Sequence, residues 1–210
     1  MKLELDSLVH SFGTHRVLAG LYLAMEAGEV VGIVGRNGSG KTTMLKAIYG
    51  TLHAESLHLQ VDDVAVQRPY RDGLVSLLPQ EPYLPRRFRV RRAVRLALPT
   101  KESRERVLAH RWIAPLADRR VAALSGGELR SLEVLVALAS PADVVLLDEP
   151  YTEIEAVHRR PMREEIQASA RGQDRAIVVT DHAYRDVLET SDRVLVLAGV
   201  EQLPAACERR

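Results

Sequence analysis

Cysteine is almost missing from the 210 residues: Cys207, near the C-terminal end, is the single one. One thiol excludes an internal disulfide and any multi-cysteine zinc or iron–sulfur site, and it suits a reducing compartment. Long apolar runs are missing too. A bilayer crossing needs roughly 18 consecutive apolar residues, and Arg130, Glu133, Pro141 and Asp143 interrupt the most hydrophobic third of the chain. The first six residues mix charge with apolar side chains, so no uninterrupted stretch of secretory type is expected there. Nor is there an excess of one charge. Lys and Arg number 29 against 28 Asp and Glu, a net charge of +1, which lacks the strongly basic footprint of a dedicated nucleic-acid binder. Phenylalanine occurs only twice, so the place of each ring carries information.

What remains is the composition of an ordinary soluble globular chain, 27% charged and 46% hydrophobic. The length fits one large domain with a smaller lobe better than a string of modules. Alternation at Leu3 and Leu5, and again at Leu21, Leu23 and Met25, predicts two half-buried strands around a turn at Phe12-Gly13. Residues 30–34, Val-Val-Gly-Ile-Val, form a short apolar run of the kind buried on both faces in a parallel sheet. A helix is expected over 41–48, with Gly50 as its left-handed cap. Further strands are expected at 57–61, 64–66, 74–78, 144–147, 176–180 and 194–197, the last followed only by a short tail. Residues 90–116 read as helix in pieces, and a polar helix is expected over 157–170. The fold class expected is α/β, with a mostly parallel core sheet of phosphate-loop type, an N-terminal antiparallel β subdomain and a small helical subdomain. As one domain over 1–210, the core would take 1–85 and 141–210, and the helical subdomain about 86–140.

Four groups of residues carry chemistry. Residues 35–42, Gly-Arg-Asn-Gly-Ser-Gly-Lys-Thr, satisfy G-x-x-x-x-G-K-[ST] directly between a predicted strand and a predicted helix. Glycines let successive amides curl around a phosphate, and the helix adds the positive end of its dipole. Gly35, Arg36, Asn37, Gly38, Ser39, Gly40, Lys41, Thr42 and Thr43 are thus expected to bind a nucleotide triphosphate, with Lys41 reaching the β- and γ-phosphates and the Thr42 hydroxyl going to magnesium. The second group is the strand ending in Asp148-Glu149. Beside a phosphate loop, the first acid is expected on the metal side and the second as the general base for an attacking water. The third is Ser125-Gly-Gly-Glu128, which has the spacing of a capping box and opens a long helix. The fourth is a scatter of single residues that strands would deliver: Gln80 after 74–78 and His182 after 176–180.

Taken in order over nearly the whole chain, these motifs resemble the ATP-binding cassette family. Leu124-Ser-Gly-Gly-Glu128 looks like its signature sequence, with Glu where Gln is commoner. The resemblance implies an ATPase using ATP and Mg2+, with Thr42, Gln80 and Asp148 on the metal side. Glu149, His182, Gln80 and Lys41 would be catalytic. It also implies an aromatic ring, Phe12, stacked on adenine. Ser125, Gly126 and Gly127 would close over the nucleotide held by a second cassette subunit, head to tail. The further partner implied is a membrane-spanning transporter subunit, with no nucleic acid, and the location is the cytoplasmic face of the membrane. A soluble cassette that remodels a complex, or a weakly hydrolysing regulatory module, would fit the same motifs. In one place the sequence departs from the family: after Glu149 it reads Pro150-Tyr-Thr-Glu153-Ile-Glu155, where the family has a small-residue turn with Gly and Asp. The coupling between sites would differ accordingly. The compact lobe and early end suggest a minimal cassette. The cluster Arg86, Arg87, Arg89, Arg91, Arg92 and Arg95 reads as a solvated face, a contact for the membrane subunit, or a nucleic-acid patch.

Overall fold

The computed structural model describes residues 1–198 and 201–203; Cys207 lies outside them. Two sheets form the frame. The first is antiparallel and contains β1 (Lys2–Phe12), β2 (His15–Glu26), β4 (Ser56–Val61) and β5 (Val64–Ala65), in the order β2-β1-β4-β5. The second contains β3 (Val30–Gly35), β6 (Val75–Leu78), β7 (Val144–Asp148), β8 (Ala176–Thr180), β9 (Arg193–Ala198) and β10 (Glu201–Leu203), in the order β10-β9-β3-β8-β7-β6. All its pairings are parallel except that of β10 on β9. This is the α/β architecture expected from the sequence, with one correction. The sheet does not end at β9: a further strand, β10, pairs antiparallel to it at the edge.

Strand periodicity explains how the layers are covered. Successive side chains point to opposite faces, so Val31, Ile33, Val144, Leu146 and Val178 face one side. There they meet α1 (Lys41–Tyr49) and the buried leucines of the antiparallel sheet. Val30, Val34, Val145, Leu147, Ile177 and Val179 face the other side, against α4 (Gly126–Ala139), α5 (Ala156–Gly172) and α6 (Tyr184–Thr190). A third cluster gathers Val90, Val94, Val107, Ile113, Val121 and Leu132 from α2 (Val90–Ala97), α3 (Lys101–Ala109), two short turns of 3-10 helix and α4. The helix α4 therefore belongs to two clusters at once, which ties the helical segment to the sheet. No helix among the described residues is long and apolar enough to cross a membrane.

Candidate functional site

The strand β3 is fully buried between β8 and β9, so the chain must leave the sheet abruptly at its end. It does so through Gly38 (φ 78) and Gly40 (φ 101), both in the left-handed region. At Gly40 a Cβ would lie 2.7 Å from Leu18 Cδ2 and 3.0 Å from Val17 Cγ1, so β2 leaves room only for glycine. The helix α1 starts at once, with no acidic residue in its first turn. Its leading amides lack intrahelical acceptors, and together with the curled loop they form a positive cradle. The Ser39 hydroxyl is buried there without a hydrogen-bond partner. Lys41 is buried too. Its Nζ donates to the carbonyls of Gly35 at 2.7 Å and Arg36 at 3.1 Å. Burial pushes the Lys41 ammonium below its ordinary pKa, against the pull of the Glu149, Asp148 and Asp181 carboxylates.

The acids stand at the ends of β7 and β8. Asp148 and Thr180 are register partners, and the Thr180 hydroxyl donates to Asp148 Oδ1 at 2.7 Å. Glu149 leaves the strand with φ 56, its amide donating to the Thr180 carbonyl at 2.7 Å. That twist brings Glu149 Oε1 to 2.6 Å from His182 Nε2, while Thr152 Oγ1 donates to Oε2 at 3.2 Å. Between them sits Asp181, whose carboxylate accepts from the amides of Tyr151 at 3.0 Å and Ala183 at 2.8 Å. Burial foremost raises the Asp181 pKa, and the charge of Glu149 adds to it.

The phosphate-loop residues from Asn37 to Thr43 share one cleft of about 520 Å³ with Phe12, Gln80, Glu149 and His182. Phe12 is 57% exposed, its ring perpendicular to that of His10 with the centroids 4.7 Å apart. The ring is thus at the cleft rather than in the core. Gly35 and Arg36 form the loop's back wall through their bonds to Lys41, and Asp148 lies buried behind Glu149.

Ser125, Gly126 and Gly127 are elsewhere. They line a second cleft of about 590 Å³ with Trp112, Glu153 and His158. The expected capping box is present: Ser125 Oγ accepts from the Glu128 amide at 3.2 Å, and the Ser125 amide donates to Glu128 Oε2 at 2.8 Å. Glu153, with φ 62, presses its carboxylate onto this tip, so that a Cβ on Gly126 would fall 1.5 Å from Glu153 Oε2.

Three residues of the arrangement escape the sequence reading: Arg130, Glu133 and Asp181. Arg130 donates to the carbonyls of Pro79 at 2.9 Å and Glu149 at 3.0 Å, and also to that of Asp148. Glu133 Oε1 accepts from the amides of Tyr83 at 2.9 Å and Leu84 at 3.1 Å, and Oε2 lies 3.6 Å from Arg130. This buried pair fastens α4 to the segment after β6 and to the acidic end of β7. Its signal in the sequence is that Arg130 and Glu133 are the only charges between Leu129 and Ala139.

A glycine cradle at a helix tip, facing a strand-end carboxylate held by a histidine, defines a P-loop nucleotide-binding protein of the α/β class. A family model described as ABC transporter matches residues 18–152, and the chain belongs to that family. Among named relatives, the sulfate/thiosulfate import ATP-binding protein CysA of Escherichia coli strain K12 is 31% identical over 220 residues, covering 98% of this chain and 60% of the relative. That of Methylococcus capsulatus is 33% identical over 224 residues, covering 99% and 64%. The chain thus spans about 60% of the length of these relatives. Two solved structures share the fold. An ATP-binding subunit of an ABC transporter superposes with a TM-score of 0.82 at 18% identity, over 94% of this chain and 86% of that one. A nucleotide-free ATP-binding cassette from an ABC transporter gives 0.83 at 20%, over 97% and 90%.

Proposed function

We propose that the chain binds ATP with magnesium and hydrolyses it to ADP and phosphate, as the nucleotide-binding subunit of a transporter. The observation that carries this reading is the convergence in one cleft of the phosphate loop, Gln80 and the Glu149–His182 pair at 2.6 Å. Phe12 offers an exposed face for adenine. The amides of residues 35–43 and the Lys41 ammonium bind the phosphates, and the unpartnered Ser39 hydroxyl gains an acceptor when they do. Glu149 takes the proton of an attacking water, and His182, holding Oε1, orients the carboxylate. Thr42, Gln80 and Asp148 supply a hydroxyl, an amide oxygen and a carboxylate, hard oxygen donors that fit magnesium. When bound, magnesium neutralises charge on the phosphates as the terminal phosphoryl group leaves.

Ser125, Gly126 and Gly127 face a different cleft from the phosphate loop, which supports a head-to-tail pair in which each copy's α4 tip closes over the other's nucleotide. The relatives are named as import ATP-binding proteins. By that likeness a separate membrane-spanning subunit receives the work, at the cytoplasmic face. Glu149→Gln tests the hydrolytic assignment. Steady-state ATPase activity is expected to fall by about 100-fold or more, with ATP binding kept within a few-fold by titration; undiminished turnover would remove Glu149 from the base role.

A further inference from the structure

The charge of the chain is strongly segregated. Residues 86–120 contain twelve Lys and Arg against three acids, Glu102, Glu105 and Asp118, a net charge of +9 in a chain whose total is +1. Eleven of the twelve are arginine, the side chain whose planar fork matches phosphate oxygens. The fold then brings those of residues 86–95 and 119–120 together. Residues 86–91 and 117–122 run side by side: Arg89 and Arg120 pair, the Val121 amide donates to the Phe88 carbonyl at 2.9 Å, and the Val90 amide to that of Arg119 at 3.0 Å. On α2, Val90, Ala93 and Val94 turn inward, which leaves Arg91, Arg92, Arg95 and Leu96 on one exposed face. Asp118 pairs with Arg91 at 3.4 Å and Glu128 with Arg119 at 2.9 Å. Among the described residues, Arg86, Arg87, Arg92, Arg95 and Arg120 make no ion pair.

Like charges held together in the folded chain repel one another. Arg89 and Arg119 donate to the carbonyls of Asp118 and Ala123, but among the described residues Arg86, Arg87, Arg92, Arg95 and Arg120 donate no side-chain hydrogen bond and lie outside the apolar cluster beneath α2. The counter-charge comes from outside. Three observations favour a lipid surface over a polynucleotide or an acidic peptide. The Phe88 ring already stacks with two guanidinium groups, Arg87 at 4.9 Å and Arg92 at 4.4 Å, which a stacking base would have to displace. Leu96 is 62% exposed beside Arg92 and Arg95 on the same helix face, the mixture of basic heads and apolar tip that suits a headgroup layer. The arginines spread over a helix face and adjoining extended chain, and they line neither cleft described above. We propose that this surface docks on the headgroups of anionic phospholipids. The rest of the chain carries net negative charge, so an anionic bilayer also orients the molecule with α2 toward it.

The inference stands apart from the nucleotide reading and is tested without nucleotide. The full chain is sedimented with vesicles of phosphatidylcholine alone or of phosphatidylcholine with phosphatidylglycerol, at low and raised salt. Binding is expected only to the phosphatidylglycerol vesicles and is expected to weaken with salt. Arg92→Ala/Arg95→Ala, two exposed positions without an ion pair, is expected to weaken it by about 25-fold, taking about fivefold per basic residue at such a surface. Arg92→Glu/Arg95→Glu is expected to abolish it, with unchanged circular dichroism. Equal binding to neutral vesicles, no binding to either, or variants that bind like the parent would overturn the proposal. So would single-stranded RNA that binds with the same sensitivity to these variants while vesicles do not.

Discussion

Glu153 occupies a position where the backbone is left-handed, φ 62, a strained conformation for a residue with a Cβ. Its carboxylate rests on the tip of α4, against Gly126. A carboxylate at a helix N-terminus gains about 0.3–1 kcal/mol from the dipole, and that contact must be given up if a phosphate of a second copy is to approach Ser125 and Gly127. Glu153→Gly is therefore expected to strengthen ATP-dependent pairing by about fivefold at most, by the size of that dipole interaction. The measurement is ATPase activity against protein concentration, whose half-maximal point should shift downward. An unmoved curve would mean that the carboxylate does not compete. Asp181 gives a second test at this scale. Its folded pKa is raised by burial, so the folded chain holds that proton more tightly than the unfolded chain does. Its ionisation therefore subtracts stability as pH climbs from the ordinary carboxyl value near ~4 through the raised one. Urea midpoints between these limits should fall with rising pH in the parent relative to Asp181→Asn. Parallel curves would contradict this.

At the scale of elements, α4 carries the most connections. It packs in two clusters, its cap opens the second cleft, and its Arg130–Glu133 pair holds the backbone at Pro79, Asp148 and Glu149. Burial also raises the Glu133 pKa, against the amides of Leu84 and Tyr83 and the Arg130 charge. Glu133→Gln leaves a buried guanidinium without its counter-charge, and a loss of about 3 kcal/mol is expected in urea unfolding. Arg130→Met with Glu133→Leu should recover most of the stability and still show depressed turnover, because the strand end and the Gln80 segment lose their tie. A double variant as unstable as the single one would contradict the argument.

The same helix shows which parts of this protein a sequence discloses. The phosphate loop, the capping box and the strand-end acids were readable because each is a short spacing with a local physical reason. The bond from the Tyr83 amide to Glu133 spans 50 positions, and no spacing announces it. The helix α6 went unread because its seven residues bury only Asp186, Val187 and Thr190, and Asp186 is held from α5 by Arg159 and Arg163. The edge strand β10 went unread because its three residues are defined by pairing with β9 rather than by an apolar run. The loop from Pro150 to Glu155 was legible as a departure. Its packing rests on Tyr151, fully buried with its hydroxyl 2.5 Å from Thr190 Oγ1, and on Glu153 over Gly126, neither of which a spacing announces.

At the scale of the whole molecule, two facts belong together. The residues proposed to cradle phosphates and those of the α4 tip line separate clefts of one chain. On the proposed reading each cleft is half of a closed site, joined by pairing through the nucleotide and released by hydrolysis. The measurement that tests this most directly is sedimentation velocity of Glu149→Gln with and without ATP and magnesium. The account predicts a monomer without nucleotide and a dimer with it, and a Ser125→Arg change in the same background should return the protein to monomer. A Glu149→Gln protein that binds ATP and still sediments as a monomer at every concentration would contradict the shared site.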